Sequence, residues 1–245
     1  MSLLPLILTV FGLSAGAASA NSGPCEAITF DGAPFTVCRA EPGADVRLFL
    51  DSDEGNLLGS FDAVDAALAA EGRRLAAAMN GGMYHRDRSP VGLYVEEGEQ
   101  AMRLVTSDGP GNFGLLPNGV LCISEGAFRV IESLAYEAEA PDCAYATQSG
   151  PMLVVDGELH PRFIESSDSV NLRNGVGIAP DGALLMAITD APVNFHHFAR
   201  LFRDGLGARD ALFLDGRVSR LHAPALGRSD IGFPLGPILG IVEPL

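Results

Sequence analysis

Residues 174–189 read NGVGIAPDGALLMAIT, and this stretch decides the fold class. Two apolar runs, 174–179 and 183–189, are separated by the tripeptide Pro180-Asp181-Gly182. Proline fixes φ at the first turn position, while aspartate and glycine tolerate the conformations that the following positions require. The pattern predicts two antiparallel strands joined by a tight turn.

A helix and a further strand follow this hairpin. Asn194 is a favourable N-cap residue, and apolar residues recur after it at helical spacing until Gly205 and Gly207. We interpret the aromatic side chains of this helix as core rather than as a ligand cradle. The apolar run 211–214 is the next strand.

Short strands separated by turns predominate in the rest of the chain. The other runs of strand length are 46–50, 75–79, 92–95, 102–106, 113–116, 120–124, 128–131, 152–155, 158–160 and 238–242. A second helix is predicted at 61–70, where alanine is frequent and Gly72 follows. Because hairpins outnumber helices, the sequence predicts an α+β fold, with a curved, mostly antiparallel mixed sheet packed on one or two helices.

The composition limits the possible partners. The chain has 245 residues, of which 47% are hydrophobic, and carries 16 Lys+Arg against 31 Asp+Glu, for a net charge of −15. The apolar content is that of a folded domain, and the negative charge argues against nucleic acid as a partner. A single phosphate group in a local basic pocket stays compatible with this charge.

The N-terminus has the pattern of a secretory signal. An apolar run at 3–13 is followed by Ala18-Ser19-Ala20, which matches the A-x-A cleavage pattern, although no Lys or Arg precedes the run. The run is shorter than the ~20 residues that a stable membrane span needs. We therefore expect a signal peptide at 1–20 and one mature domain at 21–245, exported to the periplasm or secreted.

Export determines how the four cysteines are interpreted. Cys25, Cys38, Cys122 and Cys143 form no C-x-x-C pair, so their spacing indicates no metal site. In an oxidising compartment the simplest pairing joins Cys25 to Cys38 and Cys122 to Cys143. Four buried free thiols are the alternative if the chain is not exported.

Three polar segments are candidates for ligand contacts. Residues 80–84 (NGGMY) follow a strand, and their two glycines would let backbone N–H groups converge on an anion. Residues 147–151 (TQSGP) form a predicted polar loop, and Arg173 opens the strand of the 174–189 hairpin. Each also has a plain structural interpretation: a tight turn, a polar turn and a solvated edge charge, respectively.

Two aspartates end apolar strands. Asp190 and Asp215 follow the runs 183–189 and 211–214, and their carboxylates would meet at one sheet edge only if those strands run parallel. Two carboxylates facing a sugar ring are typical of glycosidic cleavage. Turn capping is the alternative role for each.

The order of these segments resembles that of the phosphodiester glycosidase family. The resemblance rests on 80–84 (NGGMY), 148–151 (QSGP), 173–178 (RNGVGI) and 214–216 (LDG), and it covers about residues 75–222. It implies hydrolysis of a sugar-1-phosphodiester without a cofactor, which frees the sugar from a phosphate monoester. In the family's L-D-G-G-G-S motif, Arg217 and Val218 of this chain stand where the family has glycine.

The resemblance also implies roles for individual residues. Arg173 would bind the phosphate, Asp215 would act at the anomeric carbon, and Asp190 would support them. The implied substrate contacts are Asn80, Gly81, Gly82, Tyr84, Thr147, Ser149, Gly150, Gly216, Arg217 and Ser219.

Two alternatives stay open at this point. The altered 216–219 segment favours a non-catalytic exported protein that binds an envelope glycan or a glycolipid headgroup. An ordinary secreted glycosidase is the other alternative, which cleavage of aryl glycosides without phosphate would indicate.

Overall fold

A computed structural model describes residues 23–216 and 218–245. The predicted signal peptide at 1–20 and the predicted substrate contact Arg217 lie outside the described residues. No helix within the described part of the chain is long and apolar enough to cross a membrane.

The secondary structure consists mainly of strands. The strands are β1 Cys25–Phe30, β2 Ala33–Ala40, β3 Asp45–Phe49, β4 Arg73–Asn80, β5 Tyr94–Glu96, β6 Glu99–Met102, β7 Gly119–Ser124, β8 Ala127–Glu132, β9 Tyr145–Ser149, β10 Met152–Val155, β11 Glu158–Leu159, β12 Asn174–Ile178, β13 Leu184–Thr189, β14 Ala211–Asp215, β15 Leu221–Ala223, β16 Arg228–Ser229 and β17 Ile238–Pro244. The helices are α1 Phe61–Ala69, α2 Ser133–Glu139 and α3 Phe195–Arg200, which continues as a π-helical turn over Leu201–Gly205. A 3-10 turn spans Pro224–Leu226.

These strands form three open sheets. The largest has the order β1-β2-β13-β12-β14-β10-β11, and two five-stranded sheets have the orders β16-β15-β4-β17-β3 and β6-β5-β9-β7-β8. The α+β class with mostly antiparallel pairing is confirmed. The sequence led us to expect one sheet, whereas the structure has three, because long-range pairing between distant runs cannot be inferred from local patterns.

The pairing of strand β12 determines which strand ends meet at the same edge of the largest sheet. It pairs antiparallel with β13 on one side and with β14 on the other. Strands β13 and β14 are therefore parallel to each other, and the residues that follow them lie at the same edge of the sheet. Asn174, at the start of β12, is the register partner of Asp215 at the end of β14.

The helix α3 packs against β12 through aromatic side chains, as the core interpretation predicted. Phe198 and Phe202 are fully buried. A Cβ atom on Gly177 would come within 2.7 Å of the Phe202 ring, and one on Gly175 within 3.2 Å of the Phe198 ring. Glycine at these two positions lets the rings lie directly on the strand.

Three local predictions were wrong. Residues 113–116 form turns rather than a strand, because the chain folds back so that Gly114 contacts Gly109. The strand predicted at 102–106 is β6 at 99–102, since Glu97 and Gly98 adopt the left-handed conformation of a tight hairpin turn. The predicted polar loop at 147–151 includes the last three residues of β9, whose polar side chains are buried.

Both predicted cystines are present. Cys25 bonds to Cys38, its register partner across the β1–β2 hairpin, and Cys122 bonds to Cys143. The second cystine ties β7 to the segment between α2 and β9. The pairing between sequence neighbours is confirmed.

We expect removal of the second cystine to destabilise the protein. The double substitution Cys122→Ala/Cys143→Ala should lower the free energy of unfolding by about 3 kcal/mol, because the open chain gains conformational entropy. Urea denaturation of the unreduced wild type and the variant measures this change. A thiol titration that finds four free sulfhydryls in the unreduced wild type would contradict the pairing.

Candidate active site

A cavity of about 470 Å³ opens at the edge of the largest sheet where β12 begins and β14 ends. It is lined by Met83, Tyr84, Arg88, Val91, Asn112, Asn171, Arg173, Asp215, Gly216 and Val218. The cavity wall therefore combines two arginines, Arg88 and Arg173, with the carboxylate of Asp215 and the hydroxyl group of Tyr84.

Arg173 is the most unusual residue in the cavity wall, because only 1% of its surface is exposed. Its Nε donates to the Val193 carbonyl oxygen at 2.9 Å, and its Nη2 donates to the Ser169 carbonyl oxygen at 3.0 Å. The guanidinium carbon lies 3.7 Å from the centroid of the Phe195 ring. Carbonyl dipoles and a ring face thus fix the orientation of the guanidinium.

The charge of Arg173 has no acidic partner among the described ion pairs of the protein. Burial lowers its pKa to about 10, so the side chain stays protonated at neutral pH. The described contacts of its guanidinium are with neutral groups, and a buried cation held in this way favours an anionic ligand. The cavity wall beside it is therefore suited to a phosphate.

A stack of rings extends behind Arg173. The Phe195 ring lies parallel to that of Phe163 at 5.0 Å, and Phe163 stacks on His160 at 4.7 Å. The Phe213 ring meets Phe195 edge-on at 4.8 Å. This aromatic packing leaves Arg173 little freedom to change its rotamer, so its charge is held at a fixed place in the wall.

Asp215 and Tyr84 lie close enough to influence each other electrostatically. Burial raises the pKa of Tyr84, and the negative charge of Asp215 raises it further. The neighbouring cations Arg88 and Arg220 lower it by smaller amounts. Tyr84 is therefore a neutral hydroxyl group at physiological pH, able to donate a hydrogen bond to a ligand oxygen.

A second cavity of similar size has the opposite electrostatic character. It has a volume of about 460 Å³, and Asp51, Asp53, Glu54, Glu71, Glu96, Glu97 and Glu99 line it together with Arg47. Its carboxylates would repel a phosphate. Charge therefore selects the cavity of Arg173 as the candidate active site for an anionic ligand.

Comparison with known proteins assigns the chain to a family. The family model described as phosphodiester glycosidase matches residues 73–221. The uncharacterized protein YigE of Escherichia coli (strain K12) is 32% identical over 177 residues, which cover 72% of this chain and 69% of that protein. This chain belongs to the phosphodiester glycosidase family.

Solved structures share the fold of this family member. One is the catalytic domain of zebrafish N-acetylglucosamine-1-phosphodiester alpha-N-acetylglucosaminidase, auto-inhibited by its pro-peptide, with a TM-score of 0.60 at 15% identity over 89% of this chain and 81% of that one. A hypothetical protein from Synechocystis has a TM-score of 0.56 at 12% identity over 89% of this chain and 61% of that one. At such identities the likeness concerns the fold alone.

Several polar residues of the family-like motifs brace the cavity rather than line it. Asn80 is fully buried and joins β4 to β12, because its Nδ2 donates to Oδ1 of Asn174 at 3.2 Å and its carbonyl oxygen accepts from Nδ2 of Asn174 at 2.9 Å. Its Oδ1 accepts from the Arg220 backbone N–H at 3.0 Å. Ser219 Oγ donates to the Asp215 carbonyl oxygen at 3.0 Å. This buried network holds both ends of the loop that follows Asp215.

The 147–151 segment acts in the same way from the neighbouring sheet. Ser149 Oγ donates to the Leu214 carbonyl oxygen at 2.9 Å, and Thr147 Oγ1 donates to the Gly81 carbonyl oxygen at 2.9 Å. The N–H of Gly81 is engaged by the Pro237 carbonyl oxygen at 2.7 Å, so it is not directed at a ligand.

Close packing explains the glycines of these two motifs. A Cβ atom on Gly82 would come within 2.8 Å of Thr147 Oγ1, and one on Gly150 within 2.7 Å of the Asn118 Cβ atom. Neither glycine is in the cavity wall.

Asp190 lies at the same sheet edge as Asp215 but outside the cavity wall. Its carboxylate pairs with Arg228 Nη1 at 2.6 Å and accepts from Thr36 Oγ1 at 2.8 Å. These contacts tie β13 and β2 to the segment at β16. We therefore do not carry Asp190 into the proposed catalytic group.

Sequence reasoning missed three polar residues of the cavity wall: Arg88, Asn112 and Asn171. Arg88 lies only a few residues beyond the NGGMY segment, and its guanidinium carbon lies 5.2 Å from the centroid of the Tyr84 ring. A cationic side chain so near this candidate segment could have indicated that Arg88 belongs to the site. Nothing in their local sequence distinguishes Asn112 and Asn171 from ordinary turn residues.

We expect Asn80→Ala to destabilise the protein more than a truncation in the cavity wall. The substitution removes the acceptor of the Arg220 N–H and the donor to Oδ1 of Asn174, which should lower the free energy of unfolding by about 1–3 kcal/mol. Asn112→Ala removes an exposed side chain from the same region and should change it by less than about 0.5 kcal/mol. Urea denaturation compares the two, and equal effects would show that the Asn80 network carries no special share of the stability.

Proposed function

We propose that this protein hydrolyses the glycosidic bond of a sugar-1-phosphodiester. The observation that carries the proposal is the buried charge of Arg173 in one cavity wall with the carboxylate of Asp215. Membership of the phosphodiester glycosidase family supports the same reaction, and the zebrafish neighbour is named for an N-acetylglucosamine-1-phosphodiester substrate.

In the proposed hydrolysis, the leaving group can depart as an anion without being protonated by a general acid. The bond between the anomeric carbon and the phosphate oxygen breaks, and its electron pair leaves with the phosphate monoester. A water molecule supplies hydroxide to the anomeric carbon and releases one proton. A phosphate monoester is a stable anion, so a fixed cation can take the place of the general acid used in ordinary glycoside hydrolysis.

We assign the two charged groups to the two ends of the breaking bond. Arg173 stabilises the charge that develops on the phosphate oxygens, as a guanidinium fork suits them. Asp215 stabilises the positive charge that develops at the anomeric carbon, acts as the nucleophile at that carbon, or takes a proton from the water that attacks it. The neutral hydroxyl group of Tyr84 is a hydrogen-bond donor beside them.

The remaining wall residues complete the binding surface in this proposal. Gly216 and Val218 follow Asp215 on a loop braced by the buried Asn80 network. A Cβ atom on Gly216 would come within 3.1 Å of the Phe213 ring, so glycine lets this loop lie close to the aromatic packing behind Arg173.

We also propose that the reaction takes place after export, in the periplasm or outside the cell. The two cystines support this location, because disulfides form and persist in oxidising compartments. The substrate would then be a sugar phosphate or glycan of the cell envelope.

Substitution of Asp215 tests the catalytic assignment. We expect Asp215→Asn to lower kcat for a sugar-1-phosphodiester at least about 100-fold, the low end for a catalytic carboxyl group. Asp210→Asn is the matched control, because Asp210 precedes the same strand at its opposite end and its Oδ1 only accepts from the Asp156 backbone N–H. Activity of Asp215→Asn close to that of Asp210→Asn would reject the assignment.

Substitution of Arg173 tests phosphate binding separately from turnover. We expect Arg173→Met to weaken the binding of inorganic phosphate, measured by calorimetry, about 10- to 100-fold, because a hydrogen bond to a charged group contributes ~1.5–3 kcal/mol. Arg209→Met removes an exposed arginine and is the control, since Arg209 pairs only with Asp156 at the other end of the sheet among the described ion pairs. Equal phosphate affinity of both variants would contradict the role of Arg173, whereas phosphate binding without any sugar release by the wild type would favour a non-catalytic binding protein.

A further inference from the structure

We propose that a smaller cavity beside the candidate active site binds the non-sugar substituent of the phosphodiester, which we call the second arm. We infer that this arm is uncharged and partly apolar. That the arm belongs to the phosphate monoester released in the reaction rests on the proposed function. The geometric basis is that Arg88 lies in the walls of both cavities.

The smaller cavity has a volume of about 270 Å³. This is more than half the volume of the candidate active-site cavity, which is room for a small ring or a short chain. Its apolar wall is formed by Leu50, Leu57, Pro90, Ala101 and Met102.

One closed loop separates the two cavities. Tyr84 and Pro90 form an isolated antiparallel bridge, and within this loop the His85 N–H donates to the Ser89 carbonyl oxygen at 2.8 Å. Tyr84 faces the larger cavity, whereas Ser89 and Pro90 face the smaller one. Arg88 is the residue of this loop that reaches both.

The backbone of Arg88 is held in a costly conformation. Its φ is +77°, in the left-handed region that large side chains rarely adopt. Such strain persists where the surrounding structure fixes it, and it is concentrated at functional sites. In this loop the strain directs a guanidinium to the junction of the two cavities, where a diester phosphate joins its two substituents.

The charges of the smaller cavity limit what the arm can be. Asp51 and Asp87 lie in its wall, and Asp51 also belongs to the acidic cavity described above. Hydrogen bonds from Ser89 lower the pKa of Asp87, so its carboxylate is ionised at neutral pH. An arm with a further phosphate or carboxylate would be repelled, whereas an uncharged arm with an apolar face would contact Leu57, Pro90 and Met102.

Binding of phosphate monoesters tests the inference without requiring turnover. The probes are inorganic phosphate, benzyl phosphate and 4-carboxybenzyl phosphate, each measured by calorimetry on the wild-type protein. We expect benzyl phosphate to bind about tenfold tighter than inorganic phosphate, because the arm buries apolar surface. The 4-carboxybenzyl ester should lose this advantage.

Three variants locate the effect. Ala101→Trp fills the smaller cavity and should remove the advantage of benzyl phosphate while inorganic phosphate binds as before. Gln100→Trp places the same ring on the neighbouring residue, outside the cavity wall, and should leave both affinities unchanged. Arg88→Gly tolerates the left-handed backbone and should weaken all three probes.

The outcomes separate this inference from the proposed function. Equal binding of benzyl phosphate by Ala101→Trp and the wild type, or tighter binding of the 4-carboxybenzyl ester, would overturn the arm site. If the wild type shows the expected binding pattern but releases no sugar from any sugar-1-phosphodiester, the proposed hydrolysis fails and the arm site stands.

Discussion

The buried guanidinium of Arg173 is the constraint on which the rest of the site depends. A charged group in the interior is costly unless neighbouring groups compensate it. Two carbonyl oxygens and the face of Phe195 do so in part, and the remaining positive charge is directed at a cavity. A fixed positive charge of this kind in a cavity wall suits an anionic ligand.

The central position of β12 in the largest sheet places Arg173 at the cavity. Arg173 precedes β12, and the two flanking strands run parallel to each other, so the carboxylate of Asp215 is delivered to the same edge. The aromatic face of α3 packs on glycines of β12 and places Phe195 beneath the guanidinium. The hairpin and helix that determine the fold class thus also place Arg173 and Asp215 in the wall of one cavity.

Residues of the family-like motifs divide into two groups with different tasks. Tyr84, Arg173, Asp215 and Gly216 line the cavity, whereas Asn80, Thr147, Ser149 and Ser219 are occupied by hydrogen bonds that hold the surrounding loops. A polar motif can therefore mark the support of an active site as well as its surface. In the proposed function, this support would hold the cavity in the fixed geometry that catalysis requires.

Local patterns in the sequence predicted the elements that local physics determines. The Pro-Asp-Gly turn and the Asn194 cap were sufficient to predict the 174–189 hairpin and the helix after it. The sequence could not predict β9, because its buried Thr147, Gln148 and Ser149 have the composition of a turn and are satisfied only by distant partners. The bond between Asn80 and Asn174 joins residues 94 positions apart, so no spacing rule indicates it.

The same limit applies to the candidate site. Arg173 and Asp215 were candidates from their positions at strand ends and were assigned roles by the family resemblance, and the structure brings both into one cavity wall. Asp190 looked equivalent to Asp215 in sequence, yet its partner Arg228 comes from a strand that pairs in a different sheet. A sequence shows which charged residues follow a predicted strand. Only the three-dimensional structure shows which of them form an ion pair with a distant residue, as Asp190 does with Arg228.

The most direct test of the central claim is a crystal structure of the Asp215→Asn variant soaked with a sugar-1-phosphodiester. We predict that the phosphate lies within hydrogen-bond distance of the Arg173 guanidinium and that the anomeric carbon lies about 3–3.5 Å from the side chain at position 215, as a near-attack geometry requires. A ligand bound in this cavity with its phosphate turned away from Arg173, or bound only elsewhere on the protein, would contradict the account.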